Sequence, residues 1–165
     1  MTTASHAKDT KALRAALGRF ATGVAVITAR DADGPVGLTV NSFSSVSLEP
    51  PLVLFSVART ARSLARLEKA DSYVVNILRH GQHELSSRFA RAGIDKWAGA
   101  QPEIGLNGAP VLLETLARFE CRPYGRHDAG DHVIFIGEVT HFEAAEDGDP
   151  LLYYRGGYRS LAPPA

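Results

Sequence analysis

The chain of 165 residues reads as one mostly β domain, a closed or nearly closed barrel with a few flanking helices. Two observations predict this. After Gly23 the apolar residues fall into about six or seven short, β-rich runs separated by turn residues. Several connections between those runs are too short for the helix that a doubly wound α/β sheet needs after almost every strand. A chain of this length buries roughly 70% of its unfolded surface, enough for a core without disulfides or metal.

The elements follow in order. Residues 1–10 read as an N-terminal tail, 11–161 as the domain and 162–165 as a C-terminal tail. From Lys11 to Phe20, the residues Leu13, Ala16, Leu17 and Phe20 recur at helical spacing and form one apolar face, with Asp9 or Thr10 as the cap. Val24–Thr28 and Val36–Val40 read as two strands joined through Asp31–Pro35, a hairpin with a longer loop. Ser44–Leu48 is a polar extended piece ending at Glu49-Pro50-Pro51, and Leu52–Val57 is apolar on both faces, as in a strand through a core. A short helix over Thr60–Lys69 presents Leu64 and Leu67. The strand Tyr73–Leu78 follows, then a second short helix within Gln82–Arg91, marked by Leu85 and Phe89. Residues 92–110 are rich in glycine and proline and read as a long loop. Leu116–Arg122 and His132–Phe142 are further strands, leading to Leu151–Tyr154.

Composition excludes several function classes. Eighteen Lys plus Arg cancel eighteen Asp plus Glu, so phosphate-driven nucleic-acid binding has no compositional support. The single cysteine, Cys121, makes no intrachain disulfide and no Cys-cluster metal site. No run of apolar residues is long enough to span a bilayer, and the first twenty residues lack the apolar core of a secretory signal. A cytoplasmic protein is expected.

Four segments carry candidate chemistry. Ser56–Ser63 joins an apolar strand to a helix start and holds Arg59 and Arg62 with three hydroxyl residues. This suits an anion such as phosphate, or else ordinary capping by Thr60 beside two solvated arginines. Thr39–Ser47 continues from an apolar strand as a strip of small polar groups that would present donors to a flat heterocycle, or would form the solvent face of an edge strand. His127–His132 reads as a polar hairpin turn with Gly130 at positive φ; the metal reading would join His127, Asp131 and His132 to His80 and His83. Tyr153–Arg159 places aromatic rings and arginines around Gly156-Gly157, suited to stacking on planar rings or to packing on a core or partner. G-x-S-x-G and G-x-G-x-x-G are both absent, so neither a nucleophile elbow nor a Rossmann turn is in play.

Phe20–Thr28, Gly37–Val53, Gly130–Val139 and Pro150–Tyr158 together resemble, in order and spacing, the short-chain flavin reductases, the reductase components of two-component flavin-dependent monooxygenases. The resemblance runs from about residue 11 to 161. It implies a split β-barrel of the FMN-binding type, a homodimer, FMN or FAD as flavin and NADH or NADPH as co-substrate, and no metal. It further implies that Thr39, Val40, Asn41 and Ser42 border the isoalloxazine ring. Ser56, Val57 and Ser63 then lie near the ribityl chain and phosphate, with Arg62 and Arg59 in the same turn, and Phe89 and Ala90 make a third flavin contact. Gly130, Asp131 and His132 match the nicotinamide-nucleotide motif, His132 orienting the nucleotide, and Arg155 and Tyr158 lie close to both ligands. The reaction implied is hydride transfer to flavin, whose reduced form passes to a separate monooxygenase. A flavin-binding barrel without reductase activity and a His-metal protein are the competing readings.

Overall fold

The computed structural model describes residues 9–98 and 102–162. The first half of the chain comprises α1 (Thr10–Leu17), β1 (Thr22–Gly23), β2 (Ala25–Asp31), β3 (Gly34–Val40), β4 (Ser44–Leu48), β5 (Pro51–Ala58), α2 (Leu64–Leu67) and β6 (Tyr73–Ile77). The second half comprises α3 (His83–Ala90), β7 (Glu103–Ile104), β8 (Pro110–Val111), β9 (Ala117–Ala129), β10 (His132–Ala144), β11 (Leu152–Tyr154) and β12 (Gly157–Arg159).

Seven strands form the main sheet in the order β3-β2-β6-β9-β10-β5-β4, with every neighbouring pair antiparallel. Its two edges, β3 and β4, are consecutive in the chain and joined only by residues 41–43. In a flat sheet those edges would stand about 29 Å apart, whereas the link from Val40 to Ser44 reaches at most about 15 Å. The sheet therefore has to roll up until its edges meet. Ser42 clips the seam: its Oγ donates to Ser56 O and accepts from Ser56 N–H at 3.2 and 2.9 Å. The result is the split barrel that the strand pattern and the resemblance predicted.

The inward faces of β2, β3, β5, β6, β9 and β10 make the core, with Phe55 stacked on Phe135 and edge-on to Tyr73. Gly137 in β10 leaves room for that tyrosine, since a Cβ there would lie 2.7 Å from its ring. A second cluster, including Val24, Val26, Leu78, Phe89 and Leu151, packs α3 and the β11–β12 hairpin onto the barrel. Burial pushes the Cys121 thiol up to about 12, assisted by the neighbouring Glu120. A native thiol so rarely ionised is unreactive, so iodoacetamide at mildly alkaline pH should leave Cys121 unmodified until denaturant is added.

The structure departs from the sequence-based expectations at several elements. The β2–β3 connection is a tight hairpin with only Ala32 and Asp33 between the paired Asp31 and Gly34, because Gly34 adopts φ 107° and turns the chain sharply. Asp9 caps α1, accepting from the N–H groups of Lys11 and Ala12, but the apolar face of that helix is not buried: Leu17 is 65% and Phe20 79% exposed. The Thr60–Lys69 helix shrinks to the four residues of α2, which begins after Ser63 without a side-chain cap. The β9–β10 hairpin is longer than expected, 13 residues in each arm. Its turn is Gly130-Asp131, with Gly130 at φ 62° as the sequence implied.

Arg66 of α2 ties down the β2–β3 hairpin through two bonds to Asp31, and donates further to Gly34 O. The guanidinium lowers the Asp31 carboxyl to about 2. A group whose folded-state pKa is depressed stabilises the fold above its unfolded value and loses that contribution as pH falls through the folded one. The stability gap between wild type and Asp31→Asn should therefore be constant above about pH 4 and close as the pH approaches 2; acid titrations of both proteins by circular dichroism would measure it.

Candidate functional site

The seam of the barrel is also its cavity. A cleft of about 740 Å³ takes one wall from β3 and residues 41–42, another from Ser56 and Ala58 of β5 with the following turn, and a third from α3 and residues 91–97. It exists because β3 and β5 face each other across the split without hydrogen bonding. The volume lies within the range of cofactor-sized sites, roughly 300–1,000 Å³.

Most of the residues singled out in the sequence converge here. Thr39, Val40, Asn41, Ser42, Ser56, Arg62, Ser63, Phe89, Ala90 and His132 all line the cleft. Two of the hydroxyls are already engaged, however. Thr39 Oγ1 donates to Ser86 O at 2.6 Å, fastening α3 to β3, and Ser42 Oγ holds Ser56. Their side chains build the wall, so Asn41, exposed at the seam, is the side chain of that strip left to meet a ligand. Close packing of the wall depends on Gly37, where a Cβ would lie 2.6 Å from the Phe89 ring.

His132 opens β10 opposite Ala58 and reaches the cleft rim. Its Nδ1 lies 2.7 Å from Asp131 Oδ1, and this bond is the leading cause holding the Asp131 carboxyl below its usual range. With Nδ1 so occupied, Nε2 remains to interact with a ligand.

Other residues singled out in the sequence lie off the cleft surface. Val57 is 1% exposed and turned into the core, because alternation along β5 sends its side chain to the opposite face from Ser56. Gly130 and Asp131 form the turn beside the cleft and do not line it. Arg59 is not part of an anion cradle. Its guanidinium bonds Asp128 and Gly130 O while its N–H donates to Asp131 O, so it braces the β9–β10 turn. With α2 reduced to Leu64–Leu67, no helix start stands within the Ser56–Ser63 turn; Arg62 and Ser63 face the cleft as side chains only.

Arg155 and Tyr158 sit away from the cleft. Arg155, at φ 52°, makes the β11–β12 turn with Gly156, and its N–H donates to Gly18 O. The Tyr158 hydroxyl is 2.9 Å from Ser86 Oγ, behind α3. Gly157 opens β12 opposite Tyr154, so Arg155 and Gly156 alone make a tight hairpin turn. As for the histidines of the metal reading, His83 lies against Tyr158; among the described residues no three His, Cys, Asp or Glu side chains converge.

Lys96 and Trp97, which carry no motif in the sequence, also line the cleft. Lys96 Nζ, half-buried, donates to Gly37 O at 2.8 Å and Phe89 O at 2.7 Å, and Trp97 meets the Phe89 ring edge-on. They fold residues 91–97 over one side of the cleft. Burial alone lowers the Lys96 pKa.

The donor set fits a flavin. Leu38 and Trp97, both half-buried in the lining, supply apolar surface for a planar ring, Asn41 a polar edge, and Ser63 and Arg62 a charged end for a phosphate. An antiparallel barrel split at one seam, with that seam opened into a cleft of this chemistry, defines the class as a flavin-binding split barrel.

The chain belongs to the flavin reductase-like family, whose domain model matches residues 17–162, and it is a flavin reductase. It is 46% identical over 151 residues to the FMN reductase (NADH) SmoA of Agrobacterium fabrum, covering 92% of this chain and 86% of that protein. HsaB of Rhodococcus jostii, the reductase subunit of a flavin-dependent monooxygenase, is 39% identical over 160 residues, covering 97% and 82%. The solved structure of the Streptomyces globisporus NADH:FAD oxidoreductase SgcE6 superimposes with a TM-score of 0.95 at 35% identity, covering 100% of both chains; another structure of that protein holds NAD and FAD fragments. Some relatives are longer, and the chain spans 48% of one of them. Among the described residues no helix is long and apolar enough to cross a membrane.

Proposed function

We propose that this reductase oxidises NADH or NADPH, reduces FMN or FAD in the barrel seam, and releases the reduced flavin to a separate flavin-dependent monooxygenase. The observation that carries the reading is the seam cleft itself, where an apolar slot, a cationic end at Arg62 and the rim histidine His132 meet. The nucleotides named for SmoA and SgcE6 and the assembly named for HsaB support it.

When bound, the flavin supplies an N5 that accepts hydride from C4 of the reduced nicotinamide. Such a transfer asks the protein for no nucleophile, only for contact geometry and exclusion of water. Leu38 and Trp97 line the ring slot and, with Val40 and Phe89 buried behind them, keep water from it. Arg62 and Ser63 hold the phosphate end, and Asn41 meets the polar ring edge. His132, its Nδ1 fixed by Asp131, presents Nε2 at the mouth and orients the nicotinamide nucleotide.

The chain acts as a homodimer in this proposal, since α1 turns Leu13 and Leu17 outward and the exposed Phe20 just beyond it extends an apolar stripe suited to a second subunit. Light scattering on the purified protein should give twice the chain mass. The activity test is oxidation of NADH followed at 340 nm. Rapid loss of absorbance that requires added FMN or FAD is the expected result; flavin binding without turnover would favour the non-reductase barrel.

A further inference from the structure

Lys96 is a cation of the cleft wall that none of the steps above uses. Its ammonium is half-buried in the cleft wall and is held by two neutral acceptors, Gly37 O and Phe89 O. Among the described residues no carboxylate pairs with it. Asp95, the adjacent acid, is exposed and accepts from Trp97 N–H instead. The other cations of the cleft differ. Arg66 is neutralised by Asp31, while Arg62 and Arg91 are exposed to water.

A partly desolvated charge without a counter-ion is costly, and burial already favours the neutral form of Lys96. An anion entering the same cleft would relieve that cost and, in a partly dry site, be attracted more strongly than in water. A flavin offers two anions: its phosphate, and the negative charge that spreads over the N1/O2 edge of the ring on reduction. The position of Lys96 favours the ring. It sits against Gly37 at the foot of the β3 strip and against the Phe89–Trp97 aromatic wall, whereas the Arg62 guanidinium lies by Gly93 and the Ser63 turn.

We infer that Lys96 offsets the negative charge of reduced flavin while it is in the cleft, its ammonium being the fixed counter-charge for the reduced ring until that flavin is released. This rests on the flavin reading of the cleft. It concerns relative affinity for the two redox states, and so the potential of bound flavin, apart from any effect on turnover.

The test is anaerobic titration of wild type, Lys96→Met and Lys96→Arg with riboflavin, which has no phosphate, and with FMN. Each flavin is used both oxidised and chemically reduced, at a pH where the reduced ring is anionic. For riboflavin, the ratio of oxidised to reduced Kd should fall about tenfold in Lys96→Met and recover most of its value in Lys96→Arg. Should Lys96→Met not fold, Lys96→Gln carries the same comparison. Equal weakening of both redox states would mean a purely structural latch, and loss confined to FMN would mean phosphate pairing; either overturns the assignment. If wild type bound neither flavin in either state, the flavin reading would fall as well, whereas binding with an unchanged ratio in Lys96→Met overturns the Lys96 assignment alone.

Discussion

His132→Ala should raise the KM for NADH about tenfold or more while changing the Kd for oxidised flavin by less than about threefold. The asymmetry follows from where the residue stands. His132 is the first residue of β10, 44% exposed in its side chain, at the rim of the cleft, whereas the ring slot is built by β3, α3 and residues 96–97 deeper in the seam. Removing the imidazole takes away one polar contact to the second substrate and leaves the slot intact. Asp131→Ala should give a smaller effect in the same direction, because Asp131 acts through the Nδ1 bond that orients the ring. A collapse of flavin affinity with an unchanged nucleotide KM would assign His132 to the wrong ligand. Steady-state kinetics with varied NADH, alongside flavin titration, separates the two outcomes.

Asn76→Ala should be among the most damaging single substitutions to stability. The Asn76 side chain is fully buried in β6; its Nδ2 donates to Val26 O at 2.9 Å and to Thr28 Oγ1 at 3.0 Å, and its Oδ1 accepts from Leu112 N–H at 3.0 Å. Thr28 Oγ1 in turn donates to Pro110 O. One amide therefore ties β2 and β6 to the segment after β8, away from water. Alanine would leave the Leu112 N–H without its acceptor and open a cavity between strands. Together these cost about 3–5 kcal/mol, which for a chain of this size lowers Tm by roughly 10 °C. Thermal unfolding would measure the loss, and a shift of only a degree or two would show that water enters and replaces the amide.

The same two residues show what the sequence could and could not tell. Asn76 sits in a run of β-formers, so the strand was legible, yet its network was not, because its partners Val26 and Leu112 are distant in the chain. The resemblance carried by Gly130–Val139 singled out His132, and the structure places it at the cleft rim. The strands β2, β3, β5 and β6 were readable because burial on one or both faces writes a period-2 or continuous apolar pattern. The outer arms of the β9–β10 hairpin were not, since residues such as Tyr124, Arg126 and His127 face solvent and carry no apolar pattern. The helix expected from Thr60 fails at its start because Arg59 is tied to the β9–β10 turn and Ala61 N–H bonds back to Ala58 O, making a turn first. Of the candidate site, the two strands of the seam and α3 could be located from the chain. The Lys96–Trp97 wall could not, because a lysine bonding two backbone carbonyls leaves no periodic trace.

In the proposed reaction flavin occupies the seam between β3 and β5. Ala90, the last residue of α3, is exposed and lines that cleft, so Ala90→Trp fills the cavity without entering the core. Titration of FMN fluorescence with each protein gives the most direct test: wild type should quench it saturably, and Ala90→Trp, with an unchanged unfolding temperature, should not. Equal quenching by the two would place the flavin elsewhere and contradict this account.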